Sequence, residues 1–400
     1  MPVVCLCFEV HQPRRLRRYA IFDVDRVHDY EDREANLEIL NRVADRCYLP
    51  ANRILSGLVR RHAGRFSIAF SISGTLLDQL GNHRSDVLDS FQELARTGAV
   101  EFLCETDCHS LAFLFSRKEF RRQVNSHKKR IQALFGQTPR TFRNTELIYN
   151  NDLARTAEKM NFRTVLAEGA DRLLAGRSCN APYRPPGCGR LKLLLRNYRF
   201  SDDIAFRFND REWPEHPLTA AKFAGRLHRV DAAEAVISLY MDYETFGEHH
   251  PRETGIFEFL EALPGEILKH PDFCFQTPSQ AAAGFEPVAA LDAPDFVSWA
   301  DEDRGLTAWL GNAMQNDAIR TLYKMEPQVA RRNDPELQDA WRMLQVSDHF
   351  YYMCTKWLAD GDVHQHFNPY PSPYDAYINY MNILDDFSRQ LSRKTGAGKG

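Results

Sequence analysis

The chain has 400 residues, 44% of them hydrophobic and 26% charged, enough apolar material for one large domain or two. Its 51 basic and 54 acidic residues leave a net charge of −3, which argues against a nucleic-acid partner and against a disordered acidic tail. No run of 18 apolar residues occurs, so no membrane partner is expected.

Residues 3–10 read as a strand that stops at His11-Gln12-Pro13, because proline cannot donate to a ladder. The start Met-Pro-Val-Val lacks the basic region of a secretory signal. Helical patterns follow to about residue 62, then a strand from Phe66 to Ser71 and a helix to about Thr97 with Gly98 as its stop. Ala99–Cys104 reads as strand, Phe120–Phe135 as helix and Arg140–Arg143 as a very short strand. A helix near 151–160 leads to the strand Thr164–Ala167. Gly176–Arg190, rich in Pro and Gly, reads as a long loop, and Leu191–Leu195 and Val236–Met241 complete about seven strands. Strand alternating with helix argues for parallel α/β, either a barrel or a doubly wound sheet.

The character changes after about residue 285, where a short Pro-punctuated linker precedes helices. Leu306, Leu310, Met314, Ala318 and Leu322 recur at intervals of four. Asp334-Pro335 is an N-cap followed by Pro at the first helical position, with Leu337, Trp341 and Leu344 on one face. Ser372 opens a last helix, and the end from Thr395 onward reads as frayed. The division expected is a barrel over 1–285 and a helical domain over 286–400 that completes the active-site cleft. The nine cysteines, scattered without a Cys-x-x-Cys pair, read as the reduced thiols of a cytoplasmic protein.

Two acidic strings stand out, Arg143-Asn-Thr-Glu146-Leu-Ile-Tyr149 and Met241-Asp242-Tyr243-Glu244-Thr-Phe-Gly247-Glu-His249. Each puts a carboxylate where an apolar, strand-like run ends, and carboxylates are costly to bury unless paired or put to use. Alone, Glu146 would be a helix-start carboxylate and Asp242 a solvated loop residue. Together, beside aromatic residues that can stack on sugar rings, they suggest a shared cleft for glycoside chemistry. His11 follows the first strand, where it either caps the barrel or meets substrate. Glu101 falls inside a strand, with a buried basic partner as its ordinary reading. Asp348 continues the Trp341 face, and the loop Gly361–Tyr370 carries two histidines that would rim the site. His109 and His249-His250 make a metal conceivable, but neither His-x-His nor His-Glu-x-x-His occurs, so none is expected. Asp202-Asp203 reads as a helix cap in preference to a calcium site. No Gly-rich phosphate loop, Rossmann fingerprint or Gly-x-Ser-x-Gly is present, and no cofactor is expected.

In order along the chain, His11-Gln12-Pro13, Gly98-Ala-Val-Glu101-Phe-Leu, the Glu146 string, the Asp242 string and the helical Trp341–Tyr352 segment resemble the five short regions that mark glycoside hydrolase family 57. The resemblance is to the short intracellular α-amylase-like subgroup. It implies an irregular (β/α)7 barrel followed by a helical C-terminal domain, acting on α-1,4-glucans or malto-oligosaccharides with retention. Glu146 would be the nucleophile and Asp242 the general acid/base, kept protonated by burial and the neighbouring charge. His11, Glu101, His109, Tyr243, His249, Trp341 and Asp348 would hold substrate. Thr106-Asp107-Cys108 departs from the aromatics expected there, which would alter sugar stacking. The same residues would serve a 4-α-glucanotransferase. A metal-dependent polysaccharide deacetylase or a non-catalytic glucan-binding protein are the further alternatives.

Overall fold

The computed structural model describes residues 2–231, 236–356 and 368–393. Its strands are β1 (Val3–Val10), β2 (Ile68–Ile72), β3 (Val100–Phe102), β4 (Thr141–Arg143) and β5 (Thr164–Glu168), followed by β6 (Tyr183–Arg184), β7 (Lys192–Arg196), β8 (Val236–Asp242), β9 (Cys274–Phe275) and β10 (Ala289–Ala290). β1 lies between β8 and β2, in parallel with both, and β2 pairs with β3. Cys104, just past β3, makes a parallel bridge to Phe142 of β4. β4 pairs with β5, β5 with β7, and β7 meets β8 at Arg196–Ser238. Seven parallel strands therefore close into a ring, the irregular barrel expected from the sequence. β6 runs antiparallel on β7 and carries β10, so the loop expected over 176–190 contains a short strand.

The period of two along each strand decides what fills the barrel. Val4, Leu6, Phe8 and Val10 join Ile68, Phe70, Phe102, Ile237 and Leu239 in the core under the surrounding helices. Val3, Cys5 and Cys7 join Ala69, Leu166, Leu194 and Tyr240 in a smaller interior core, where Cys and Ala suit the narrow space. Extending that alternation, Glu9, Ser71, Arg143, Glu168, Arg196 and Asp242 stand on the interior side at the carboxyl ends of their strands.

The chain forms two compact units, and the barrel belongs to the first, which comprises 1–12, 38–107 and 123–305. The second comprises 13–37, 108–122 and 306–400, so it draws on early segments as well as on the C-terminal helices. Residues 14–32, expected to be helical, fold back on themselves instead, with an antiparallel Leu16–Glu31 bridge and one 3-10 turn at Ile21–Asp23. Their few apolar residues make no continuous stripe. The expected stripe from Leu306 to Leu322 is split into helices Thr307–Leu310 and Ala313–Lys324, because Asn312 caps the second with Gln315 completing a capping box. Asp334 caps Pro335–Met343 through the amides of Glu336 and Leu337, and Ser372 caps Pro373–Ser392. Buried Asp386 of that last helix accepts from the Tyr30 hydroxyl at 2.6 Å, the Asp25 amide at 2.7 Å and His28 Nδ1 at 2.9 Å, tying the early segment to the helix.

Candidate active site

Glu146 sits three residues beyond β4, and its backbone is left-handed (φ +59°), as is that of Leu147 (φ +51°). Two consecutive non-glycine residues in this region are uncommon, and such strain persists only where surroundings enforce it. The enforcing contacts are specific. Leu147 N donates to Asn144 O at 2.9 Å, Ile148 N to Thr145 O at 3.0 Å, and the Asn144 amide group to Ile148 O at 3.0 Å. Thr106 Oγ1 and Thr145 Oγ1 lie 2.7 Å apart. The tight turn lets the half-buried Glu146 carboxylate meet Trp299, whose indole Nε1 donates to Oε2 at 2.7 Å.

Asp242 ends β8, pairs in register with Glu9 of β1, and begins the 3-10 turn Tyr243–Thr245. Between the two acidic strings lies a charged network that sequence reading left unassigned. The fully buried Arg143 guanidinium pairs with Glu9 and lies 3.6 Å from Glu105. Ser71 Oγ donates to Glu105 at 2.8 Å, and the Glu105 amide reaches His127 Nδ1 at 3.3 Å. Burial works against the Arg143 charge, but Glu9, Glu105 and Glu146 around it hold its pKa above the ordinary arginine value. The guanidinium lies 5.6 Å from the ring centres of both Tyr240 and Trp299. An arginine in an apolar interior needs paired acids, and here they come from three different strand ends.

Glu244, two residues past Asp242, is a buried carboxyl that accepts from the Tyr48 hydroxyl and from Gln12 Nε2 at 3.5 Å. Burial first, and then the Asp242 charge, push its pKa up to about 8. Gly247 closes the segment at φ +113°, and a Cβ there would stand 2.0 Å from the Arg46 carbonyl.

The remaining expected residues have the following contacts. His11 Nδ1 lies 2.7 Å from Ser73 Oγ, which caps the helix Gly74–His83. His249 is half-buried and donates its amide to Glu244 O at 2.9 Å. Glu101 is on the interior side of β3 but lies deeper than Glu9, accepting from Thr141 Oγ1 at 2.6 Å and the Ser279 amide at 2.9 Å. It lines a pocket of about 330 Å³ at the amino ends of β3 and β4, whereas Glu146 and Asp242 stand at the carboxyl ends of β4 and β8. Tyr243, expected at substrate, is a core residue: fully buried, it packs on Phe8 and Phe70 and donates to Asn52 at 2.7 Å. Trp341 likewise belongs to the core of the second unit, its indole donating to Leu322 O at 3.1 Å. His109 and Asp348 are also in that unit, where His109 is buried with φ +49° and accepts the Ser347 amide at 2.9 Å. Asp107, noted for replacing an aromatic, anchors Arg130 at 3.3 Å and Ser126 at 2.9 Å, and Gly74 leaves it room. Of the Gly361–Tyr370 loop, residues 361–367 lie outside the described residues, as does the stretch from Thr395.

Glu9 had a sequence signal, being the only charge in an eight-residue apolar strand and on its odd-numbered face. Trp299 had none, since nothing in its neighbourhood distinguishes it from a surface tryptophan.

A parallel barrel with carboxylates at the carboxyl ends of its strands is an arrangement that barrel glycoside hydrolases use. The comparisons narrow it. The chain belongs to glycosyl hydrolase family 57, whose profile matches residues 5–294. A protein from Methanocaldococcus jannaschii named "Putative alpha-amylase" is 40% identical over 392 residues, covering 95% of this chain and 83% of that one. Among solved structures, a family 57 branching enzyme from Thermococcus kodakaraensis has a TM-score of 0.69 at 14% identity, covering 97% of this chain and 90% of its own. A 4-alpha-glucanotransferase from Thermococcus litoralis has a TM-score of 0.66 at 15% identity. It covers 87% of this chain, which spans 56% of that enzyme's length. At such identities the two structures establish the fold.

Proposed function

We propose that this glycoside hydrolase cleaves α-1,4-linked glucans with retention, Glu146 acting as nucleophile and Asp242 as general acid/base. The observation that carries the reading is the strained backbone at Glu146, which presents one carboxylate oxygen to a fixed indole donor. A carboxylate that must attack carbon needs one rotamer held, and local strain of this kind marks functional positions.

In the first step a Glu146 oxygen bonds to the anomeric carbon as the glycosidic C–O bond breaks, and the Asp242 proton passes to the departing oxygen. In the second, Asp242 takes a proton from water, whose oxygen displaces Glu146 and restores the free carboxylate. A sugar hydroxyl in place of that water would make the same protein a transferase. The family and the name of the 40% identical relative support an α-glucan as substrate. The nine free cysteines support a cytoplasmic site of action.

The test is incubation with maltoheptaose and separation of the products. Shorter oligomers released as the α-anomer are expected. Initial release of the β-anomer would overturn retention, and products longer than the substrate would identify transfer. Glu146→Gln is expected to abolish turnover while binding persists, and a fully active variant would remove Glu146 from the role of nucleophile.

A further inference from the structure

We propose that residues 297–305 form a strap that sets the Glu146 carboxylate through Trp299, and that Arg304 is the positioning residue that pins the strap to the barrel. The inference rests on Glu146 being the nucleophile.

The strap begins where the Glu146 segment ends. Tyr149 and Val297 exchange backbone hydrogen bonds of 2.8 and 2.9 Å, and the Trp299 amide donates to Glu146 O at 3.3 Å. It then closes on itself, Ser298 N donating to Arg304 O at 2.8 Å and Ser298 Oγ to Gly305 O at 2.5 Å. Asp301 (φ +57°) and Arg304 (φ +47°) adopt left-handed backbone to make that closure. A surface loop with only its own bonds would not hold such geometry.

The Arg304 guanidinium supplies what the loop lacks. Its Nη1 donates to Trp299 O at 2.6 Å and lies 3.4 Å from Glu168 Oε2, while its Nη2 lies 3.3 Å from Asp202 Oδ2. Arg196 engages the same two acids from the barrel side, at 3.0 Å to Glu168 and 2.5 Å to Asp202, and donates Nε to Tyr240 O at 2.6 Å. Two arginines and two carboxylates therefore make a charge-balanced quartet, with Glu168 and Arg196 buried. Arg196 and Arg143 each lie 5.6 Å from the centre of the Trp299 ring, and the Tyr240 ring is 5.5 Å away. The indole is thereby held on several sides with its single N–H directed at Glu146 Oε2.

An indole donor on one carboxylate oxygen fixes the plane in which the carboxylate approaches. It also stabilises the ionised form, so its removal should make Glu146 easier to protonate. This effect is separate from any contribution of the strap to stability.

The experiment compares Trp299→Phe, which keeps an aromatic ring and removes the N–H, with wild type on maltoheptaose. A fall in kcat of about tenfold is expected, the scale of one hydrogen bond to a charged group, with KM within about twofold. The acid limb of the kcat/KM profile should move to higher pH. Arg304→Lys, which keeps the charge but loses the two-sided grip, should move kcat and the acid limb the same way, and carries the test if Trp299→Phe does not fold. Wild-type kcat with an unmoved acid limb in either folded variant, when Glu146→Gln is inactive, would overturn the strap's role. An active Glu146→Gln would instead overturn the reading beneath it.

Discussion

Arg143 at the end of β4 pairs with Glu9 near the end of β1, joining strands on different sides of the barrel. The two residues are 134 positions apart, and both are buried. Replacing Arg143 by Met removes the cation and leaves Glu9 and Glu105 without it. A loss of about 3–5 kcal/mol is expected, the usual penalty for breaking a buried ion pair from one side. Urea unfolding measures it. The double variant Glu9→Gln/Arg143→Met should recover part of the loss, and a simple sum of the two single losses would argue against coupling.

Asp242→Asn separates the acid from the nucleophile. On maltoheptaose the variant should lose at least ~10²-fold in kcat, in the range that proton transfer contributes. On an aryl α-glycoside with a good leaving group, the first step needs no proton and should be nearly retained. Glu146→Gln should fail on both. Equal losses of kcat/KM, which reports the first step alone, on the two substrates would mean that Asp242 is not the proton donor.

Gly247, within the Asp242 string, has backbone that L side chains rarely adopt, and its missing Cβ is what lets the Arg46 carbonyl approach. Gly247→Ala must shift one of the two backbones. A loss of about 1–3 kcal/mol is expected from the strained conformation alone, with lower turnover as the segment bearing Asp242 moves. A variant with wild-type melting temperature and activity would contradict this account.

Glu244 predicts a dependence on pH. Its folded pKa of about 8 lies above the ordinary 4.5 because burial and the Asp242 charge both disfavour ionisation. Below about 4.5 the carboxyl is protonated in both folded and unfolded chains. Between the two values the unfolded chain ionises and the folded one does not, so the stability owed to this group falls as pH rises, and above 8 the loss is complete. Glu244→Gln removes the titration while keeping an acceptor for Tyr48. Its melting temperature relative to wild type should therefore climb from pH 5 to pH 8.5, and a difference that is flat with pH would refute the assignment.

In the second unit, Asp386 holds residues 13–37 through Tyr30, His28 and the Asp25 amide. Burial raises its pKa, but those hydrogen bonds outweigh burial and leave it below the ordinary value. Asp386→Ala should cost about 3 kcal/mol by stranding several donors at once. Hydrogen exchange should quicken first at the Asp25 amide, and unchanged protection there would argue that the segment is held elsewhere.

Much of the architecture was legible in the chain itself. Alternation of apolar runs with helical periods placed the seven barrel strands within a residue or two, because buried parallel strands must be apolar throughout and must break at polar ends. The same breaks marked Glu146 and Asp242, since a carboxylate at the close of an apolar run is locally conspicuous. No local pattern showed that Glu9 and Arg143 pair. Residues 14–32 misled because no local rule distinguishes a weak helix from a segment that folds back and is held by Asp386. Tyr243 and Trp341 misled because an aromatic residue beside acids looks alike whether it faces a sugar or a core.

What the tertiary structure alone decided is the setting of the nucleophile. The Trp299–Glu146 hydrogen bond spans 153 residues, and Thr106, which meets the turn at Thr145, lies 39 residues away. Sequence periodicity records which face of an element is apolar, which is a local property. The distance between two side chains far apart in the chain depends on how the whole barrel closes, and no local pattern carries it.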